Sequence, residues 1–306
     1  MNNQNPQAQT HEDSGILMFA YNNEQIDYIR LALLAALSAK KHMVNNQVAL
    51  MTDNGTLDWM QQSLPRDLVQ RAFDHIIVED IQHERNTRMH RDSPWTEFST
   101  QFNNKNKHSI FQKSPYRQTL MIDVDYIVGN DSLDAVFDTD YELAMYKDAV
   151  SVRNYKPRIW EQKLHPDGID MWWSTVVYWR NDSEVARLFF GVWEHVKENY
   201  HYYKWLYKFP GVLFRTDYAA SIAAHILNGQ TAGNTVAVLP GKVMRFSEQI
   251  DDIVEFKSLN DYVLLCPDPK ELWKNICSRI INENIHLMNK MAILRHYTKL
   301  KELIYE

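Results

Sequence analysis

The chain has 306 residues, 45% of them apolar and 24% charged, a globular balance that excludes a mainly disordered protein. Its net charge of −6 excludes an overall basic nucleic-acid coat, although a local basic surface stays open. Nine glycines and ten prolines exclude collagen-like and low-complexity architectures.

Residues 1–14 read as a disordered tail, rich in Asn and Gln, without the basic start or apolar run of a targeting peptide. An apolar strand, Ile16 to Ala20, then runs into Tyr21, Asn22 and Asn23. Ile26, Ile29, Leu33 and Leu37 recur at helical spacing, with Asn22 or Asn23 as the N-cap. The strand Val48 to Met51 runs into the turn Thr52-Asp53-Asn54-Gly55, followed by a helix near 56–72 and a strand near Ile76 to Val78. This alternation predicts a mostly parallel sheet of nucleotide-binding type.

The stretch 82–117 is polar and lacks a period. Arg85, Arg88, Arg91, Lys105, Lys107, Lys113 and Arg117 stand there against Glu84, Asp92 and Glu97, which predicts a long functional loop or short helices. Strands are expected again at 119–122, 142–146, 174–180, 235–239 and 262–265, and helices at 183–198, 216–228 and 270–304. No repeat or linker interrupts the chain, so residues 15–265 read as one domain and 266–306 as a helical C-terminal extension. The longest apolar stretch, Leu31 to Ala39, is too short to span a bilayer. Cys266 and Cys277 have no second pair of cysteines beside them, which argues against a disulfide framework or a Cys-based zinc site and for a reducing, intracellular compartment.

The strongest chemical signal is Thr119 to Val128, where an apolar strand runs directly into Asp123-Val124-Asp125. Residues two apart in a strand share a face. Two carboxylates at the carboxyl end of a parallel strand are placed to hold a hard divalent cation against a diphosphate. The plainer alternative is one turn cap and one partner for an arginine. A second D-x-D, Asp138-Thr139-Asp140, lies in a polar turn, and context favours the metal reading for the first copy, since only that one follows a buried strand. Asp217 opens a helix after Phe214-Arg215-Thr216, as an N-cap or as a contact to sugar hydroxyls. Asp170, Trp172 and Trp173 precede the 174–180 strand, where the rings suit either a sugar face or the core. Between Lys197 and Arg215, tyrosines, Trp205 and Phe209 interleave with Lys204 and Lys208. Such a pattern suits stacking on a single strand or a flipped base, or aromatic packing under snorkelling lysines. No G-x-G-x-x-G, P-loop, H-E-x-x-H or G-x-S-x-G occurs. A metal-dependent nuclease would need more clustered acids than this pattern supplies.

The run Ser114 to Asp125 resembles the segment leading into the D-x-D of GT-A glycosyltransferases, especially those similar to family eight. Ile16 to Asn22 resembles their opening strand, Trp173 to Asn181 the strand facing the acceptor, and Arg215 to Leu227 the helix whose first Asp contacts the donor sugar. The likeness covers roughly residues 15–240, and extends to members of this fold carried by large bacteriophages. It implies an α/β GT-A fold and a transferase that uses a nucleotide-sugar, a UDP-sugar above all, with Mn or Mg. Asp123 and Asp125 would hold the metal. Tyr21, Asn22 and Asp53 would line the nucleoside pocket, and Lys113 or Arg117 would steady the ribose or phosphates. The family's C-terminal metal histidine, glycine and phosphate lysine find a counterpart in Asn284-Ile-His-Leu-Met-Asn-Lys290, with His286 as third ligand and Lys290 on the phosphate. Asn289 stands where the family has Gly, Lys290 comes two residues early, and the segment reads as helical. Asp217 or Asp170 would take the acceptor proton in an inverting reaction. The acceptor that the resemblance implies would be a glycan or lipid-linked saccharide, with a hydroxymethylated pyrimidine in phage DNA as the specific alternative that the aromatic and basic stretch and the phage-like resemblance suggest. The implied location is cytoplasmic, in a bacterial host cell if phage-encoded. A non-catalytic nucleotide-binding protein is the alternative of the same fold.

Overall fold

The computed structural model describes residues 12–79, 87–101, 106–153, 162–211, 213–268, 270–271 and 273–305. Arg85 and Lys105 of the basic stretch lie outside the described residues.

The first third of the chain alternates as expected: β1 (Glu12–Phe19), α1 (Tyr28–His42), β2 (Val48–Thr52), α2 (Asn54–Ser63), α3 (Arg66–Ala72) and β3 (His75–Val78). The three strands pair in parallel. β1 already begins at Glu12, so the strand takes in positions expected in the tail. Asp27, not Asn22 or Asn23, caps α1 by accepting the Arg30 amide at 3.0 Å. The single helix expected near 56–72 is two helices. Pro65 cannot donate the amide hydrogen bond of a continuous helix, and its fixed φ suits the start of α3.

The stretch expected as a loop or short helices is a hairpin, β4 (Thr87–Arg91) with β5 (Glu97–Gln101), followed by a 3-10 turn at Lys107–Ile110. In its two strands His90 and Thr100 alone are buried, too few inward positions for the strand period to be visible. His90 packs against Phe98 with the rings tilted by 58° and their centroids 5.2 Å apart, and burial with the Lys290 charge pushes its pKa down to about 4. The unfolded chain takes up this proton at a pH near 6.5, where the folded chain does not, so stability falls as pH drops from about 6.5 towards 4. We expect His90→Gln to remove about 2 kcal/mol of the stability difference between pH 7 and pH 5, read by urea unfolding.

β6 (Tyr116–Ile122) inserts beside β1 in parallel. The short β7 (Tyr126–Ile127) follows, then β8 (Leu143–Tyr146), β9 (Asp148–Ser151) and β10 (Trp173–Arg180). Three helices come next, α4 (Glu184–Glu198), α5 (Tyr200–Tyr207) and α6 (Thr216–Leu227), and then β11 (Ala237–Val238). The main sheet has seven strands in the order β11-β8-β10-β6-β1-β2-β3, in which β10 alone runs against its neighbours. This is the mixed α/β sheet flanked by helices that the sequence implies. Its central strands are buried on both faces, which is why they read as continuous apolar runs.

The C-terminal third holds β12 (Val243–Ser247), β13 (Asp252–Ser258), β14 (Asp261–Pro267), β15 (Asn275–Ile281) and β16 (Ile285–Leu287), and then α7 (Lys290–Arg295) and α8 (Tyr297–Tyr305). The helix expected over 270–304 is thus corrected: strands occupy its first half. β15 pairs antiparallel with β14, and Asn282, just past the end of β15, takes a left-handed φ of 52° on the way to β16. Ile276, Cys277, Ile280 and Ile281 fit helical spacing as well as a β-branched strand, so periodicity alone could not separate the two. β16 belongs to a second sheet, β7-β16-β12-β9. At Gly129 an added Cβ would lie 2.3 Å from the Glu283 carbonyl oxygen, so this crossing tolerates no side chain. Asn284 Oδ1 accepts the Gly129 amide at 2.8 Å and holds β16 to the loop after β7.

Candidate active site at the carboxyl edge of the sheet

Parallel strands deliver their carboxyl ends to one edge of the sheet. There a cavity of about 340 Å³ opens, lined among others by Tyr21 at the end of β1, Asp123 and Asp125 after β6, Asp217 on α6, and His286 and Lys290. Asp123 lies one residue past β6, and its amide donates to the Thr175 carbonyl at 2.9 Å. Val124 and Asp125 form a turn before β7. The two carboxylates therefore converge through a turn, not through strand alternation.

The docking of β16 completes the group. His286 pairs with Tyr126 in register, and the Leu287 amide donates to the Asp125 carbonyl at 2.8 Å. His286 Nε2 then stands 3.2 Å from Asp125 Oδ1. One ligand atom each from Asp123, Asp125 and His286 lies within 4.8 Å of the others. His286 Nδ1 is buried and has no hydrogen-bond partner among the described residues. Two hard carboxylate oxygens with one imidazole form a donor set that fits Mn²⁺ and accepts Mg²⁺.

Two lysines neutralise the pair. Lys290 Nζ lies 2.6 Å from Asp125 Oδ2. Lys107, from the 3-10 turn, is bonded to Asp123 and donates to the Ser174 carbonyl at 3.2 Å. Burial by itself would raise the Asp125 carboxyl, but Lys290 and His286 outweigh it and hold it far below the usual range. Burial and the neighbouring Asp125 charge raise Asp123, with Lys107 opposing them.

Opposite, Asp217 Oδ1 accepts the Ser174 amide at 3.0 Å and its hydroxyl at 2.8 Å. Arg215 stands 3.6 Å from Asp217 Oδ2. Burial works against the Asp217 charge, yet Arg215, Ser174 and Lys107 together hold its pKa below the ordinary value. Arg88 reaches in from the hairpin, bonded to the Phe214 carbonyl. Four cations, Lys107, Lys290, Arg88 and Arg215, thus face three carboxylates across one cavity, a site biased towards an anionic ligand.

Of the sequence candidates, the structure brings Tyr21, Asp123, Asp125, Asp217, His286 and Lys290 together around this cavity. Asn22 and Asp53 sit at the ends of β1 and β2, outside the lining. Asn22 Oδ1 accepts the Ile29 amide, and Asp53 caps α2 on the Thr56 amide. Lys113 pairs with Glu79. Arg117 lies near the opposite end of β6, 3.7 Å from Asp13 and 3.9 Å from Asp182. Asp170 is half-exposed and paired with Lys147 at 2.7 Å. Lys107 and Arg88 are the residues that sequence reasoning did not single out. They belong to the basic stretch, and nothing in its spacing separates the two that turn inward.

Asn289 ties the parts together. It is buried, its amide donates to the carbonyls of Asp92 at 2.9 Å and Asp251 at 3.0 Å, and its oxygen caps α7 on the Ala292 amide at 3.0 Å. This side chain joins the hairpin bearing Arg88 to the helix start bearing Lys290, and Arg295 of the same helix adds a second link to Asp92 at 2.7 Å. We expect Asn289→Ala to cost about 2–3 kcal/mol, since a cap and two buried bonds are lost together, as read by chemical unfolding.

No family model matches the chain, and no curated protein matches its sequence. Solved structures similar to it include the glycosyltransferase GlyE of Streptococcus pneumoniae TIGR4, 14% identical with a TM-score of 0.44, over 75% of this chain and 45% of that one. Mouse xyloside xylosyltransferase 1 is 12% identical with a TM-score of 0.43, over 74% of this chain and 85% of that one. The galactosyltransferase LgtC, solved with donor and acceptor sugar analogs, is 14% identical with a TM-score of 0.38, over 77% and 74%. The chain thus spans less than half the length of GlyE.

Proposed function

We propose that the chain is a metal-dependent glycosyltransferase that moves a sugar from a nucleoside-diphosphate donor, a UDP-sugar, to an acceptor hydroxyl. The observation that carries this reading is the convergence of Asp123, Asp125 and His286 with Lys107 and Lys290 at the carboxyl edge of the sheet. The three ligands would hold Mn²⁺ or Mg²⁺, which when bound supplies positive charge to a departing diphosphate. Lys107 and Lys290 then become available to phosphate or sugar oxygens, with Arg88 and Arg215 adding charge to the same cavity. Tyr21 and Phe19 form an aromatic wall at the end of β1, against which a base can pack. Asp217, held ionised, is a hydrogen-bond acceptor for a sugar hydroxyl and a weak proton acceptor. Asp170, paired outside the cavity lining, takes no part in this mechanism.

The acceptor we favour is a saccharide hydroxyl. Of the basic stretch, Arg91, Lys113 and Arg117 are engaged by Glu97, Glu79, and Asp13 with Asp182, which leaves less charge for tracking a DNA backbone. Both cysteines are free, which suits the cytoplasm.

The test is UDP release from a panel of UDP-sugars, with Mn²⁺ or chelator, and with oligosaccharides or hydroxymethylcytosine DNA as acceptor. The expected result is release that needs the cation and rises with a saccharide. Release that rises only with the DNA would move the acceptor to a modified pyrimidine. No release and no thermal shift with any donor would end the transferase reading.

A further inference from the structure

Helix α5 is apolar on both sides. Its inner side packs Tyr200 and Tyr203 into the body, both buried. Its outer side carries Tyr202, Trp205 and Leu206, spaced i, i+3, i+4 on one stripe, and these are 57%, 74% and 44% exposed. A surface helix ordinarily turns polar residues to water, and a continuous apolar stripe marks a surface that something else covers. His201 and Lys208, both exposed, lie beside the stripe, Lys204 is half-buried on the side of α5 away from it, and no acidic residue occurs between Asn199 and Thr216. This cationic, aromatic surface stands on a chain whose net charge is −6.

We propose that the outer face of α5 docks on an anionic lipid bilayer. Trp205 and Tyr202 combine an apolar body with a polar edge, the chemistry that favours the boundary between headgroups and acyl chains. Leu206 has no stacking surface for a nucleobase but partitions into hydrocarbon, which favours a membrane over a nucleic acid. Lys208 meets anionic headgroups within the short range that salt allows. The attachment is peripheral, since no helix among the described residues is long and apolar enough to cross a membrane. The Tyr200 hydroxyl accepts the Arg215 amide at 3.0 Å, so α5 is bonded to the cavity wall and docking sets the cavity beside the bilayer.

This proposal does not depend on the transferase reading, and its test reads binding alone. The full chain is sedimented with phosphatidylcholine vesicles with and without phosphatidylglycerol, at low and high salt. The expected result is sedimentation with the phosphatidylglycerol vesicles that weakens at least about tenfold at high salt, in Trp205→Ser/Leu206→Ser, and in Lys208→Glu. These side chains lie at the surface, so the variants should keep the wild-type unfolding curve. Absence of sedimentation, or equal sedimentation of the variants, would overturn the proposal. So would a single-stranded oligonucleotide that binds through Trp205 where vesicles do not, or a concentration-dependent dimer that is lost in Trp205→Ser/Leu206→Ser.

Discussion

If the proposed function holds, replacing Asp125 by Asn is expected to lower cation-dependent transfer on the order of 10³-fold, because several kcal/mol of charge stabilisation would depend on the bound cation. Asp125 is the hub of the site. One oxygen faces His286 at 3.2 Å, the other accepts from Lys290 at 2.6 Å, and its backbone carbonyl anchors β16. Asn is the informative substitution. Alanine would strand the buried Lys290 ammonium, and removing one partner of such a pair costs about 3–5 kcal/mol. The amide keeps an acceptor for Lys290 but cannot supply the charged ligand. Asp125→Asn with Lys290→Met relieves the leftover charge and separates folding from function. Manganese titration by calorimetry and product release should fall together in both variants, while unfolding of the double variant stays close to wild type. Undiminished turnover and manganese affinity in Asp125→Asn would remove the metal assignment.

Asp217→Asn should cost about 10²-fold in kcat, through lost orientation and charge and without loss of a base. The carboxylate is fixed by Ser174 from two directions and balanced by Arg215. Held ionised at neutral pH, it has little driving force to accept a proton. The variant's pH profile between 6 and 8 should therefore keep the wild-type shape at a lower plateau, with KM for the donor raised. If Asp217 instead took the acceptor proton, a small exogenous base such as azide would restore part of the rate lost in Asp217→Asn. Ser174→Ala, which removes the hydroxyl but keeps the amide donor, should show a smaller loss of the same kind.

The sequence by itself determined the alternation of strand and helix through the first 80 residues, apart from the break at Pro65, because core strands are short apolar runs and α1 is an apolar run too long for a strand, buried from Leu31 to Ala39. It also placed Asp123 and Asp125 at the end of a buried strand, and Asp217 at the start of a helix. Those are local facts, carried by neighbours in the chain. The tertiary structure decided the rest. The hairpin of residues 87–101 and strand β15 were misread because short or polar segments carry no unique period. His286 was a candidate in a segment that read as helical. It meets Asp125 because the three-residue strand β16 pairs beside β7, and pairing between distant segments leaves no mark in either one. Lys107 and Arg88 resemble the other cations of their stretch. Which of those face carboxylates in the cavity and which pair at the surface depends on how the hairpin and the 3-10 turn pack over the sheet edge.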